Sequence, residues 1–436
     1  MRYVLHSCVL LCACRGAEHP RPGNAAAFAL EVGKSGQTLR GVAGDGARVV
    51  IARGDLATSE IELRNGWHVT LPGSAGVVAM LPKYVAVAVA GRGKVDGIGK
   101  SLELHGEPSA VIVALDPATG AIAWRIPFDA TELARITSIA PLGDGGLVVG
   151  GAFAGTLRVG DAASRGTQAR DVVASAGKSD GFVATLTADG HLGWIVRIGG
   201  AGPDAVQGVA AHGDRIAIAG TFSPGADLLG EPLNAFEDRL PFSDDFVAEL
   251  DLSGAKKWVQ AFGGKADDAV AGVAIDSAGR VAVAATIRET IRLDGKDLSA
   301  RGDADGLVAW FSPSGEPGAT ALLGGTGFDG LRAIVAVEDR VVVGGFFHGT
   351  LGLGKVALDS GNGDDSFFAV VDASGGIGNA WHAGGPGREE ITALSAVPGG
   401  FLAGIAHTAG LTIDGDKLPA PADPASGAAV VGRPAP

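Results

Sequence analysis

The chain of 436 residues is 46% hydrophobic and 19% charged, which excludes an intrinsically disordered polymer and supplies enough apolar surface for a large core. Its 71 glycines follow no three-residue period, so they mark many turns and close approaches and not a collagen-like rod. A formal net charge of -13, with no stripe of Lys and Arg, argues against nucleic acid as a partner.

The first element in chain order is MRYVLHSCVLLCAC, which holds all three cysteines, Cys8, Cys12 and Cys14, and an apolar run too short to span a membrane. Leu11, Ala13 and Cys14 resemble the lipobox of a bacterial lipoprotein signal. That resemblance implies cleavage before a lipidated Cys14 and export to the cell envelope, as an outer-membrane lipoprotein. An ordinary secretory signal, which would leave the protein secreted, is the alternative. The expected division is a signal over 1–14, a short linker over 15–27 and a single repeat domain over 28–434.

Next comes FALEVGKSG at 28 to 36, a strand-like segment with no unit of its own ahead of it. Apolar strings then recur along the chain as RVVIARGD at 48, YVAVAVAG at 84, GLVVGGAF at 146, RIAIAGTF at 215, RVAVAATI at 280, RVVVGGFF at 340 and GFLAGIAH at 400. Nearly continuous small apolar runs are what strands covered on both faces require. A second family of strings ends at Gly200, Gly264, Gly325 and Gly385, with separations of 64, 61 and 60 residues. Self-similarity of that period signals an array in which one unit cannot bury its own faces alone.

Each unit reads as a small inner strand such as VQGVAAH, the apolar strand, a variable segment, a strand of the FVAELD type and a strand ending in Gly-Gly. Four strands per unit predict a propeller blade. Trp67, Trp124, Trp194, Trp258 and Trp381 fall on the fourth strand or its edge, and this regular recurrence predicts blade-to-blade packing, not an aromatic cofactor site. At the other end, AAVVGRP at 428 to 434 is a third strand with no fourth after it. The predicted fold is therefore an all-β, seven-bladed β-propeller of four-stranded blades, its ring closed by the N-terminal strand completing the last blade.

GGKADDAVAGVAIDSAGRVAVAA, from Gly263, resembles the bacterial seven-bladed β-propeller repeat (SBBP-like) family, with acids after Gly-Gly, a G-[IV]-A-[VI] inner strand and a following apolar strand. The resemblance extends over most of 28 to 434 and implies the fold and export. ALDPATGAIAW, Ala114 to Trp124, is similar to one quinoprotein-type propeller repeat, whose motif docks one blade onto the next and implies no quinone here.

No G-x-S-x-G elbow, H-E-x-x-H helix or S-x-D-x-G-x-T-W box occurs, and the nine histidines have no metal-ligand spacing, so no catalytic, cofactor or metal residue is nominated. Acids recur before the inner strands at Glu132, Asp204, Asp267, Asp268, Asp329, Glu389 and Glu390. They read first as turn-capping carboxylates; the sharper expectation is that Asp204, Asp268, Asp329 and Glu390 ring the axial mouth and bind a cation or a basic partner. A second set, Asp180, Asp244, Asp245, Asp305, Asp364 and Asp365, precedes the third strands and reads as hairpin-turn chemistry. The variable segments, above all 153–180 and 222–245, are expected to be recognition loops on the entrance face.

The functional expectation is a monomeric, lipid-anchored binding or scaffold module without a cofactor, touching the membrane only through its lipid, with an envelope protein or glycan as partner. The alternative is an envelope hydrolase or lyase with a site on the propeller entrance face.

Overall fold

The computed structural model describes residues 28–31, 37–160, 172–236, 243–413, 415–418, 420–421 and 427–435; the leader with Cys14 and the linker lie outside them. About 69% of the described residues are strand, with no helix among them, and the strands form a β-propeller arrangement of small antiparallel sheets.

Four consecutive strands pair up and down in each repeat. In the third repeat they are Leu133–Pro141, Leu147–Ala154, Asp180–Leu186 and Leu192–Gly199. In the fourth they are Ala205–His212, Arg215–Phe222, Asp244–Asp251 and Lys256–Gly264. The third strands Asp180–Leu186 and Asp305–Phe311 are buried at every position, their apolar runs after the leading aspartate matching strands covered by a neighbouring sheet on each face.

The variable segments do not behave as free recognition loops. In the later repeats they cross back as hairpins onto the outer strand of the preceding repeat: Ile198 pairs with Leu228, Gly263 with Arg292, Gly324 with Gly352 and Ala383 with Ile413. Within 153–180 the strand Thr156–Val159 pairs likewise with Phe128–Ala130, while 161–171 and 237–242 lie outside the described residues. These hairpins change the count of sheets. Where seven discrete blades were predicted, hydrogen bonding gives five discrete sheets of four or six strands and one ten-stranded sheet, continuous through the Gly324 to Gly352 pairing.

The crossing also explains the Gly-Gly ends. A Cβ on the second glycine would lie 2.2 Å from the Thr290 carbonyl oxygen at Gly264 and 2.1 Å from that of Thr350 at Gly325, distances that no side chain tolerates.

On the opposite edge the tryptophans join neighbouring repeats. The indole N–H of Trp67 donates to the Pro117 carbonyl at 3.0 Å, that of Trp124 to Ala188 at 3.0 Å and that of Trp194 to Leu252 at 2.8 Å. Each ring lies over a turn glycine of the next repeat, Gly120, Gly190 or Gly254, where a Cβ would come within 2.5 to 2.9 Å of the indole. Gly120 closes the D-P-A-T-G turn, so that motif is a packing device in this chain.

The last sheet runs in the order Phe28–Glu31, Ala428–Pro434, Gly400–His407, Glu389–Val397, with Phe28 opposite Gly432 and Glu31 opposite Ala429. Removing the N-terminal strand leaves the ladder edge of 428–434 open to other chains. A protein beginning at residue 37 is expected to melt at a lower temperature and aggregate sooner than one beginning at residue 15. Equal thermal midpoints would show that this pairing adds no stability.

Candidate functional site

Every inner strand carries a β-bulge near its start, with register shifts at Leu39/Gly41, Ala75/Val78, Ile136/Ser138, Val206/Gly208, Val270/Gly272, Leu331/Ala333 and Ile391/Ala393. A bulge leaves one residue without a ladder partner and re-aims it. The extra residues, among them Arg40, Thr137, Gln207, Arg332 and Thr392, line a channel of about 550 Å³ bounded by all the inner strands. Arg40 and Arg332 are the cations of this ring, and no carboxylate lines the channel. Nε of Arg40 is sealed from solvent without a hydrogen-bond partner.

The acids expected at that mouth are elsewhere. Asp204 accepts the Gly200 N–H at 2.7 Å and the Ser223 N–H at 2.6 Å, tying the end of one outer strand to the end of the next repeat's second strand. Asp329 does the same with Gly325 at 2.5 Å and His348 at 3.0 Å, and Asp268 accepts the Arg288 N–H at 3.0 Å. All three are buried between adjacent repeats, so the backbone-capping expectation describes them. In the last repeat the equivalent place, two residues before the bulge, belongs to Glu389 and not to Glu390. Glu389 is buried, whereas Glu390 turns outward to within 3.8 Å of Arg388. In the third repeat buried Ala134 takes this place and Glu132 is exposed.

The second acid set faces the first. Asp180, Asp244, Asp305 and Asp365 are buried at the outer end of the third strands, directly beneath the first glycine of each Gly-Gly pair. A Cβ there would meet the Asp244 carboxylate at 2.2 Å from Gly263, and that of Asp305 at 2.2 Å from Gly324. Arg197 donates to Asp180 at 2.7 Å, and the His382 ring lies 2.6 Å from Asp365. In the second repeat the residues are exchanged. Asp129 stands at the glycine position and Ser109 at the aspartate position, with the Ser109 hydroxyl donating to Asp129 at 2.7 Å. Small opposite large is thus kept in either order.

Carboxyls gathered between sheets hold protons more tightly. Burial, with lesser repulsion from Asp180, pushes Asp204 up to about 6 despite its backbone donors. Burial and then Asp244 and Asp267 push Asp268 to about 7, and burial with Asp365 pushes Glu389 to about 7. Asp245 stands where the other repeats have Gly181, Gly306 or Ser366; burial, Asp268 and Asp244 hold it well above the usual carboxylate range. Asp364, the remaining member of this set, is exposed and pairs with the His348 ring at 3.0 Å.

Among the described residues no group of three or more His, Cys, Asp or Glu is placed to hold a metal ion. No helix there is long and apolar enough to cross a membrane. Neither sequence reasoning about acids nor their repeat identified the cationic bulge ring. The legible signal was the variable residue ahead of G-V-A, which is Arg40, Gln207 or Ala271.

A set of small antiparallel sheets arranged around a channel defines the protein as one of the β-propeller class. No family model matches the chain, and no curated protein matches it. Among solved structures it is similar to the β-propeller domain of the Trilobed protease from Pyrococcus furiosus, at 12% identity and a TM-score of 0.44, over 88% of this chain and 95% of that one. It is also similar to a polysaccharide lyase, an ulvan lyase, at 11% identity and 0.45 over 84% and 88%, and to a europium-containing methanol dehydrogenase at 11% and 0.38 over 86% and 84%. These likenesses carry no residue role to this chain.

Because the carboxyls Asp204, Asp268 and Glu389 have folded values raised above their unfolded ones, the stability they contribute is complete below about pH 4 and is lost as pH rises through about 6 to 7. The thermal midpoint should therefore fall from pH 5 to pH 8. Asp268→Asn, which keeps an acceptor for the Arg288 N–H, should raise the midpoint at pH 8 and leave it nearly unchanged at pH 5. A midpoint that climbs over this range in the wild type would contradict the assignment.

Proposed function

We propose that the protein is an exported, lipid-anchored propeller of seven blades that acts as a non-catalytic binding or scaffold module at the cell envelope, with an anionic ligand at its channel mouth. The observation that carries this reading is the bulge ring. Arg40 and Arg332 face a concave space without a carboxylate in its wall, while the acids of the same face cap backbone N–H groups. Guanidinium groups in the wall of a channel favour carboxylate or sulfate groups of a ligand.

Support for seven blades comes from counting inner strands: each packs on the next in chain order, and the last packs on the first. The Gly44 N–H donates to Ser395 Oγ at 3.2 Å, and Leu39, Val42, Val397 and Leu402 share one apolar cluster. In this reading Phe28–Glu31 is the fourth strand of the last blade and closes the ring.

The hydrolase or lyase alternative would need an acid with a free oxygen in a cleft. Asp268 has a suitable proton affinity, but its unpartnered Oδ2 is sealed from solvent, so it does not reach a bound substrate.

Two experiments test the proposal. A lipidated Cys14 holds a protein on a membrane through about 0.8 kcal/mol per buried CH2 of its chains, so Cys14→Ala should move the protein from the membrane to the soluble fraction. Unchanged fractionation would remove Cys14 as the anchor. At low ionic strength citrate should raise the wild-type thermal midpoint, and the Arg40→Gln/Arg332→Gln double variant should lose that shift while retaining its fold. An equal shift in both proteins would place the anion elsewhere.

A further inference from the structure

The bulge residue Arg332 also borders a second concavity of about 480 Å³, between the inner strand Ala269–Ile275 and its successor Gly330–Val337. Here Arg288 Cζ lies 5.1 Å over the ring of Phe328, and Arg332 Cζ lies 4.8 Å over the ring of Phe346. The two rings are 5.6 Å apart and tilted by 32°. A cation, two rings and a cation thus stand in one row. Phe328 stays 40% exposed with Arg288 over it and Phe346 beside it, a costly place for a large apolar ring. Among the described residues neither guanidinium group makes an ion pair or a side-chain hydrogen bond, in a chain of net charge -13.

The repeat shows that this row is not a packing requirement. Phe346 is the partner of Gly330 in the ladder, and its counterparts are Thr221 opposite Ala205 and Thr286 opposite Ala269. Phe328, just ahead of buried Asp329, corresponds to Pro203 and Asp267. Arg332 corresponds to the bulge residues Gln207 and Ala271, and Arg288 to Ser223. Small or polar residues therefore suffice at these four places to build the fold. The cleft two seams away, lined by the counterparts Pro203, Gln207 and Thr221 together with Arg135, is smaller, at about 320 Å³, and has no aromatic wall. Packing positions beside them stay apolar throughout, as Phe222, Ile287 and Phe347.

From this geometry we infer that the Arg288, Phe328, Phe346, Arg332 cleft is a binding site for an acidic oligosaccharide whose sugars carry carboxylates. The proposal rests on the reading of the protein as a binding module and names the ligand class. The exposed face of Phe328 suits the C–H face of a pyranose ring, and the guanidinium forks suit its carboxylates. The exposed Asp267 at the rim accepts hydroxyl hydrogen bonds. It also repels densely charged phosphate or sulfate polymers, as does the overall negative charge. A neutral glycan would offer the two guanidinium forks no carboxylate, leaving Arg288 only the pull of Asp268 in the cleft wall, and a flat aromatic acid would find an open cleft where it needs an enclosed slot.

The test is calorimetric titration of the full chain with a galacturonate tetramer. The expected result is saturable binding that weakens by about tenfold or more on methyl esterification of the sugar, and equally in Phe328→Ala and in Arg288→Gln, both exposed positions whose variants should melt as the wild type does. Maltotetraose should give no binding. The inference is overturned if the tetramer gives no heat at about 10 mM, if both variants keep wild-type affinity, or if benzoate binds with this variant sensitivity and the tetramer does not. Loss of citrate response in the Arg40/Arg332 double variant together with a silent tetramer titration would sink this site and leave the binding-module reading standing.

Discussion

The structure depends on one recurring contact, a buried carboxylate that takes backbone N–H groups from two different repeats. Asp204 holds Gly200 and Ser223 together, and Asp329 holds Gly325 and His348, so the edge of one sheet is stitched to the middle of the next. An N–H left unsatisfied in such a buried seam costs on the order of 1–3 kcal/mol. The repeat therefore keeps an acid at this place wherever the seam has this form. On the far side of the sheets Trp67, Trp124 and Trp194 perform the corresponding joining, their indole N–H groups reaching a carbonyl in the next turn.

Those two seams set the glycine pattern. The first glycine of each Gly-Gly pair makes room for an aspartate beneath it, and the second makes room for the carbonyl of a crossing hairpin. The exchange of Asp129 and Ser109 in the second repeat shows that the constraint is one of summed volume and of one carboxylate per seam, satisfied from either strand. Burial beside a facing carboxylate raises the proton affinity of Asp204, Asp268 and Glu389, and at Asp204 and Asp268 backbone N–H donors limit the rise.

The same arrangement decides what the entrance face presents. With Asp204, Asp268 and Asp329 turned into the seams, a chain of net charge -13 shows guanidinium groups at the channel and, beside the exposed Asp267, in the adjoining cleft. Long-range repulsion by the rest of an acidic molecule disfavours nucleic acid or other dense polyanions at these places.

By itself the sequence determined the strands, because two-sided burial demands unbroken apolar runs such as RIAIAGTF and VAVAATI, and it determined that the recurrent tryptophans are packing residues. The repeat period also marked the acids as equivalent. It did not say which of Glu389 and Glu390 faces inward, since a single-residue bulge at Ile391/Ala393 sets the phase of a period-two pattern. Nor did it show that the variable segments leave their own repeat to pair with the preceding one, a contact between residues such as Gly263 and Arg292 that no local propensity encodes. Only the tertiary structure brought Arg288, Phe328, Arg332 and Phe346 into one row, because they belong to two repeats and become neighbours only when the sheets pack side by side.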